Sequence, residues 1–198
     1  MNKLPVALIC FCFVFASCTT LNTSSPTTLH PSQQAFWTKL NALCGKAFYG
    51  KVVEAPANDT VFRNQQLILH IRSCGNNRIR TPFIVGNNRS RTFVFTRSTN
   101  GIELKHDHRH MDGAEDSLTM YGGFTSNSGR PDFQVFPADQ HTVNILPAAA
   151  GNVWWIEIAE GKYISYNLRR IGTDRLFTVR FDLNDPAPTP PAPWGWKD

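Results

Sequence analysis

Between Lys46 and Leu183 the chain repeats one pattern, short runs that alternate apolar and polar residues, each closed by a turn signal. The alternation predicts ten strands: Lys46–Glu54, Gln65–Ser73, Ile79–Val85, Arg91–Ser98, Gly101–His110, Ser117–Gly122, Phe133–Phe136, Val153–Ile158, Tyr163–Arg169 and Arg175–Leu183. Asn58-Asp59, Gly75-Asn76-Asn77, Gly86-Asn87-Asn88, Asn100-Gly101, Asp112-Gly113, Ser128-Gly129, Glu160-Gly161 and Gly172-Thr173 supply the turns. The last strand alternates most cleanly, with Phe177, Val179, Phe181 and Leu183 on one face. Trp154, Ile156 and Ile158 likewise share a face, as do Ile164, Tyr166 and Leu168. No helix-length apolar pattern separates these strands, which excludes a parallel sheet with crossover helices. The expected fold is mainly β, an antiparallel barrel.

One helix precedes the strands. Over Ser32–Cys44, Phe36, Leu40 and Leu43 recur at helical spacing beside Trp37, and Gly45 supplies a stop. Such an amphipathic helix is suited to plug a barrel end or pack across its outside. At the other terminus five prolines lie between Pro186 and Pro193, followed by Trp194-Gly195-Trp196. This tail, 186–198, is expected to stay out of the sheet as an exterior strap in extended polyproline form, or to serve as a recognition segment. The expected domain is a single one over 32–185.

The N-terminus carries an address. Lys3 and the apolar run Leu4–Ala16 are too short for a membrane-spanning helix and read as an export signal over 1–17. Phe15-Ala16-Ser17-Cys18 resembles the lipobox of bacterial lipoproteins, which implies cleavage before Cys18, its lipidation, and membrane attachment through the lipid. Ordinary signal-peptidase cleavage after Ala16 is the other reading. Residues 18–31 are rich in Thr, Ser, Asn and Pro, the composition of a tether. Thr19, standing where an Asp would signal retention, implies the outer membrane, facing the periplasm. The ten strands and their helix resemble the calycin, lipocalin-type barrel in architecture. Leu43-Cys44-Gly45, Arg89-Ser90-Arg91-Thr92, Lys105–His110 with Tyr121-Gly122-Gly123, and Pro193-Trp194-Gly195 resemble a family of exported bacterial proteins. That resemblance implies a place in the cell envelope and brings no activity with it.

Cysteine usage agrees with export. With Cys10 and Cys12 in the signal and Cys18 at the lipobox, Cys44 and Cys74 are left to pair as a disulfide, or to remain as buried thiols. The formal charge of +5 falls to +4 without Lys3. Arg78, Arg80, Arg89, Arg91 and Arg97 crowd one region, yet they are spaced through strands and turns without the interleaved aromatic pattern of a base-stacking surface. They read as a solvated face, or as a contact for anionic lipid. Nucleic acid is not an expected partner.

Chemistry concentrates in Ile102–Gly123. Alternation puts Ile102, Leu104, His106, His108 and His110 on one face, so an inward apolar face continues as imidazoles and then meets Asp112. Buried rings need partners, because an unsatisfied polar group costs about 1–3 kcal/mol. His106, His108, His110, Asp112 and Tyr121 are the candidate ligand-binding residues, for a small ligand at a barrel mouth. His106 and His108, at about 6.8 Å between Cα atoms, could converge on a divalent zinc, copper or iron ion if a third ligand came from Asp112, Glu115, Asp116, Asp139, His141 or His70. Gly101, His106, His108, Glu115 and Gly122 follow the order of a cupin metal motif with two spacings off, so a metal-dependent cupin-like enzyme is the alternative to a binding or structural barrel. The Asp of a metallo-β-lactamase motif is missing after His108. With imidazoles near pKa 6.5, affinity at such a site is expected to collapse between about pH 7 and pH 5.

Overall fold

The computed structural model describes residues 29–197; the export signal, the lipobox with Cys18 and most of the tether lie outside them. Helix α1 (Pro31–Asn41) opens the described chain, with His30 accepting from Ser32 N at its start. Eleven strands follow: β1 (Ala47–Glu54), β2 (Leu67–His70), β3 (Ser73–Cys74), β4 (Arg78–Val85), β5 (Asn88–Ser98), β6 (Gly101–His108), β7 (Tyr121–Phe124), β8 (Phe133–Pro137), β9 (Asn152–Ala159), β10 (Tyr163–Arg170) and β11 (Leu176–Ala187). A short helix α2 (Gln140–Ile145) and a 3₁₀ turn (Pro147–Ala149) separate β8 from β9. Neither was expected, since six residues are too few to display a periodic stripe. Asp139 caps α2 by accepting from Thr142 N at 2.8 Å.

Ten strands form one antiparallel path, β7-β6-β5-β4-β2-β1-β11-β10-β9-β8, and β3 pairs with β4 off its side. The path curls into a nearly closed barrel, as the alternation predicted. Its two end strands meet at a seam. There Asp139 N donates to Gly122 O at 2.9 Å, Ser126 N to Val135 O at 3.3 Å, and Thr142 Oγ1 to Gly122 O at 2.8 Å. Gly123 lets the seam shut, and Gly122 lets β7 lie close to β6. A Cβ on Gly122 would stand 1.9 Å from Leu104 O, and one on Gly123 the same distance from Pro137 O.

The interior is the shared face of every long strand. Phe48, Leu69, Ile79, Phe83, Phe93, Phe95, Ile102, Leu104, Phe136, Trp154, Ile156, Ile164, Phe177, Val179 and Phe181 make one buried cluster. Phe36, Trp37 and Leu40 of α1 join it, so the helix plugs one end of the barrel. Polar contacts stitch the plug in place: Gln33 Nε2 donates to Thr125 Oγ1 at 2.8 Å, and the Arg97 guanidinium lies over the Trp37 ring. The chain leaves α1 through a disulfide between Cys44 and Cys74, which ties the helix end to β3.

The C-terminal segment departs from expectation in one respect. β11 runs on through Pro186, which stands opposite Phe48, with Ala187 opposite Ala47. The register jumps between Phe48 and Gly50, and a bulge of this kind is where a sheet tolerates a residue without an N–H. Beyond it the chain is an exterior strap: Trp194 N donates to Arg89 O at 3.1 Å, Arg89 Nη1 to Ala192 O at 2.8 Å, and Trp196 lies under the Arg80 guanidinium.

Candidate functional site

The end of the barrel away from α1 is not filled. A cavity of about 150 Å³ opens there, walled by Phe83, Phe93, Tyr121, Trp154, Tyr166 and Phe177. Phe62, from the connection between β1 and β2, lies across it, stacked on Phe83 at 5.7 Å and packed against Phe177 at 4.6 Å. Leu146, just after α2, adds another part of the rim.

β6 carries its two histidines into this cavity because its faces are sharply segregated. On the outer face, Lys105 pairs with Asp139 and lies 3.8 Å from Glu103. Asp107 accepts from Arg109 Nε at 3.1 Å, and Arg109 reaches Glu115 at 3.0 Å. With every charge paired outside, Ile102, Leu104, His106 and His108 are left facing in. His106 is fully enclosed. Its Nδ1 lies 2.9 Å from Tyr121 O, which can only accept, so Nδ1 carries the proton; Nε2 then accepts from Tyr166 OH at 2.9 Å. The ring stacks on Tyr121 at 4.5 Å, and Tyr166 stacks on Phe93 at the same separation. His108 Nε2 and Tyr121 OH share a hydrogen bond of 3.1 Å.

The structure brings His106, His108 and Tyr121 together and leaves His110 and Asp112 apart from them. β6 ends at His108, short of the predicted His110, because the Asp112-Gly113 turn begins there: His110 N donates to Ala114 O at 2.8 Å and Gly113 N to His110 O at 2.9 Å. The His110 ring is 59% exposed, 4.0 Å from Asp116. Asp112 accepts from Ala114 N within the turn. The other metal-ligand candidates are also dispersed. Glu115 belongs to Arg109, Asp139 to Lys105 and the α2 cap, His141 is exposed on α2, and His70 lies on β2 opposite Ala47. Among the described residues no three His, Cys, Asp or Glu side chains converge where an ion could be held. Both His106 nitrogens are already bonded to protein groups, so a zinc, copper or iron centre does not fit this donor set.

Sequence reasoning missed the arginines. Arg91 stands opposite His108 in the β5–β6 ladder and points inward with Phe93 and Phe95, contrary to a solvated face. Arg170 closes the inward face of β10 after Tyr166 and Leu168, and Arg175 precedes Phe177 at the start of β11; all three line the cavity. The signal was present, since each arginine continues an apolar alternation by one more step of two. Arg170 Nε donates to Asn152 Oδ1 at 2.8 Å, and Arg91 lies over the Phe62 ring. Among the described residues none of the three is ion-paired to a carboxylate, and Arg91 Nη1 is shut from water with no hydrogen-bond partner.

Electrostatically the cavity has one sign. Burial, partly offset by the bond to Tyr121 O, pulls the His106 imidazole down to about 3. Burial and then the Arg91 charge bring His108 down to about 4. Burial pushes the Tyr121 hydroxyl up to about 12 and Tyr166 well above its ordinary value. Between about pH 5 and pH 7 both rings and both phenols are therefore neutral, and the formal charges lining the cavity are guanidinium charges. The expected collapse of affinity across that range does not follow for rings held this low. No family model, curated protein or solved structure matches the chain.

Proposed function

We propose that this chain is a binding barrel of the bacterial cell envelope, lipid-anchored through Cys18, that takes a small organic molecule into the cavity between β5, β6, β9, β10 and β11. One observation carries the reading: the same inward-facing pattern that fills the α1 end stops short at the other, leaving about 150 Å³ walled by aromatic rings with fixed polar groups among them. A volume of this size accommodates a single six-membered ring. His106, Tyr121, Tyr166 and His108 are bonded to one another, which suits them to holding orientation better than to moving protons. The arrangement favours binding over the cupin-like alternative, which needs a metal that these residues do not provide.

Benzyl alcohol titrated into the mature domain tests the reading, followed by ¹H–¹⁵N shifts of the Trp154 indole. Saturable shifts are expected at Trp154 and along β6 and β10, and should vanish in Leu146→Trp, which fills the rim while leaving the barrel intact. No saturable shift in the wild-type protein, or an unchanged response in Leu146→Trp, would remove the cavity as a binding site.

A further inference from the structure

We infer that the cavity selects a small aromatic carboxylate, its ring in the aromatic-walled space under Phe62 and its carboxylate on the guanidinium of Arg91. The inference rests on the binding reading and adds the charge and shape of the ligand. Three guanidiniums line one small cavity, and no Asp or Glu does. Glu54 and Asp174 stand on the outer side near Arg170 and Arg175, without an ion pair to either among the described residues. Arg91 is the least reconciled of the three. Its Nη1 is shut from solvent and meets no protein acceptor, and its guanidinium lies over the Phe62 ring. A guanidinium nitrogen shut from solvent without an acceptor is costly, and natural interiors pair such groups.

The missing partner has a definite chemistry. A guanidinium presents a planar fork of N–H donors that a carboxylate matches with two parallel bonds. His108 and Tyr121, beside Arg91, are held neutral, so they supply hydrogen bonds without competing for the anion. The rest of the cavity is walled by rings, and its free volume is on the scale of one aromatic ring. An inorganic anion would satisfy Arg91 and leave the aromatic walls uncovered. An apolar ring alone would do the reverse.

Calorimetric titration with benzoate, benzyl alcohol and inorganic phosphate, on the wild-type domain, Arg91→Met and Arg91→Lys, tests this. Benzoate is expected to bind at least about tenfold tighter than benzyl alcohol to the wild type, the scale of one charge-assisted bidentate pair. Arg91→Met should equalise the two. Arg91→Lys keeps the charge without the fork and should fall between them, which also covers the case that Arg91→Met does not fold. Equal affinity of benzoate and benzyl alcohol for the wild type would overturn the inference and leave the binding barrel standing. Phosphate binding as tightly as benzoate would overturn the aromatic part, and a benzoate preference that survives in both variants would overturn the role of Arg91. Binding of none of the three compounds would overturn this inference and the binding reading together.

Discussion

The two ends of this barrel are built from the same strands and solve opposite problems. At the α1 end Phe36, Trp37 and Leu40 enter between the strands, and the void next to Leu40 is only about 10 Å³. At the other end no helix enters, and about 150 Å³ stays open under Phe62. The inward faces differ only in their last residues. Toward α1 they finish in Phe95, Ile102 and Ile158; toward the mouth they finish in Arg91, His108, Asn152, Arg170 and Arg175. Stability therefore resides mainly at the plug, and recognition at the mouth. A side chain removed from each end should reveal which is which.

The largest effect is expected from that pair of substitutions. Phe36→Ala deletes a fully buried ring from the plug and should cost about 3–5 kcal/mol in urea unfolding. Phe62→Ala deletes a half-buried ring that lies over a space already open, and should cost about 1–2 kcal/mol. Similar losses at both positions would break the contrast and make Phe62 part of the core.

How much of this was legible in the sequence follows the same division. Strand alternation specified the barrel and its inward faces, because period two fixes sidedness once one face is buried. It put His106 and His108 on one inward face, where both line the cavity, and it put His110 there too, whose ring is exposed. It extended β6 two residues too far because alternation carries no information about where a turn takes over, and the Asp112-Gly113 signal sat inside the run. The β7 strand was set too early for a related reason: Asp116 accepts from Leu118 N and Met120 takes a positive φ, so 117–120 is a connection and the strand starts at Tyr121. Arg91 was misplaced by residue type overruling pattern. An arginine invites a solvated reading even where Phe93 and Phe95 share its face, and inward arginines at strand ends are what a charged mouth requires.

A second, smaller effect separates the mouth from the plug by acidity. Below about pH 6.5 the unfolded chain protonates its histidines, while folded His108 stays neutral down to about 4 and His106 to about 3. The unfolded state then binds more protons, so stability falls as pH falls across this window, by about 1.4 kcal/mol per pH unit for each ring. Asp107 and Asp116 act to raise His108 and Arg91 to lower it, with burial dominant. Between about pH 6.5 and pH 4.5 His108 alone should contribute a loss of about 2–3 kcal/mol. Urea midpoints for the wild type and His108→Gln across this range check it: the variant should show the shallower slope. Parallel slopes would mean that His108 titrates in the fold as it does in the unfolded chain.

The smallest effect sharpens the account of the plug. Lys39 on α1 meets Glu160 at 3.1 Å across the closed end, and the Glu160 side chain is 79% exposed. Two long side chains held in water gain little from each other, since solvent screens the attraction and ordering them costs entropy. Lys39→Ala should thus change stability by less than about 0.5 kcal/mol, and raising the salt concentration should leave the wild-type midpoint nearly unmoved from this cause. The comparison with Phe36→Ala is the informative one, because both residues sit on the same helix at the same barrel end. If Lys39→Ala cost as much as the phenylalanine deletion, α1 would be held by its charged edge. The apolar stripe would then be a consequence of docking and no longer its cause.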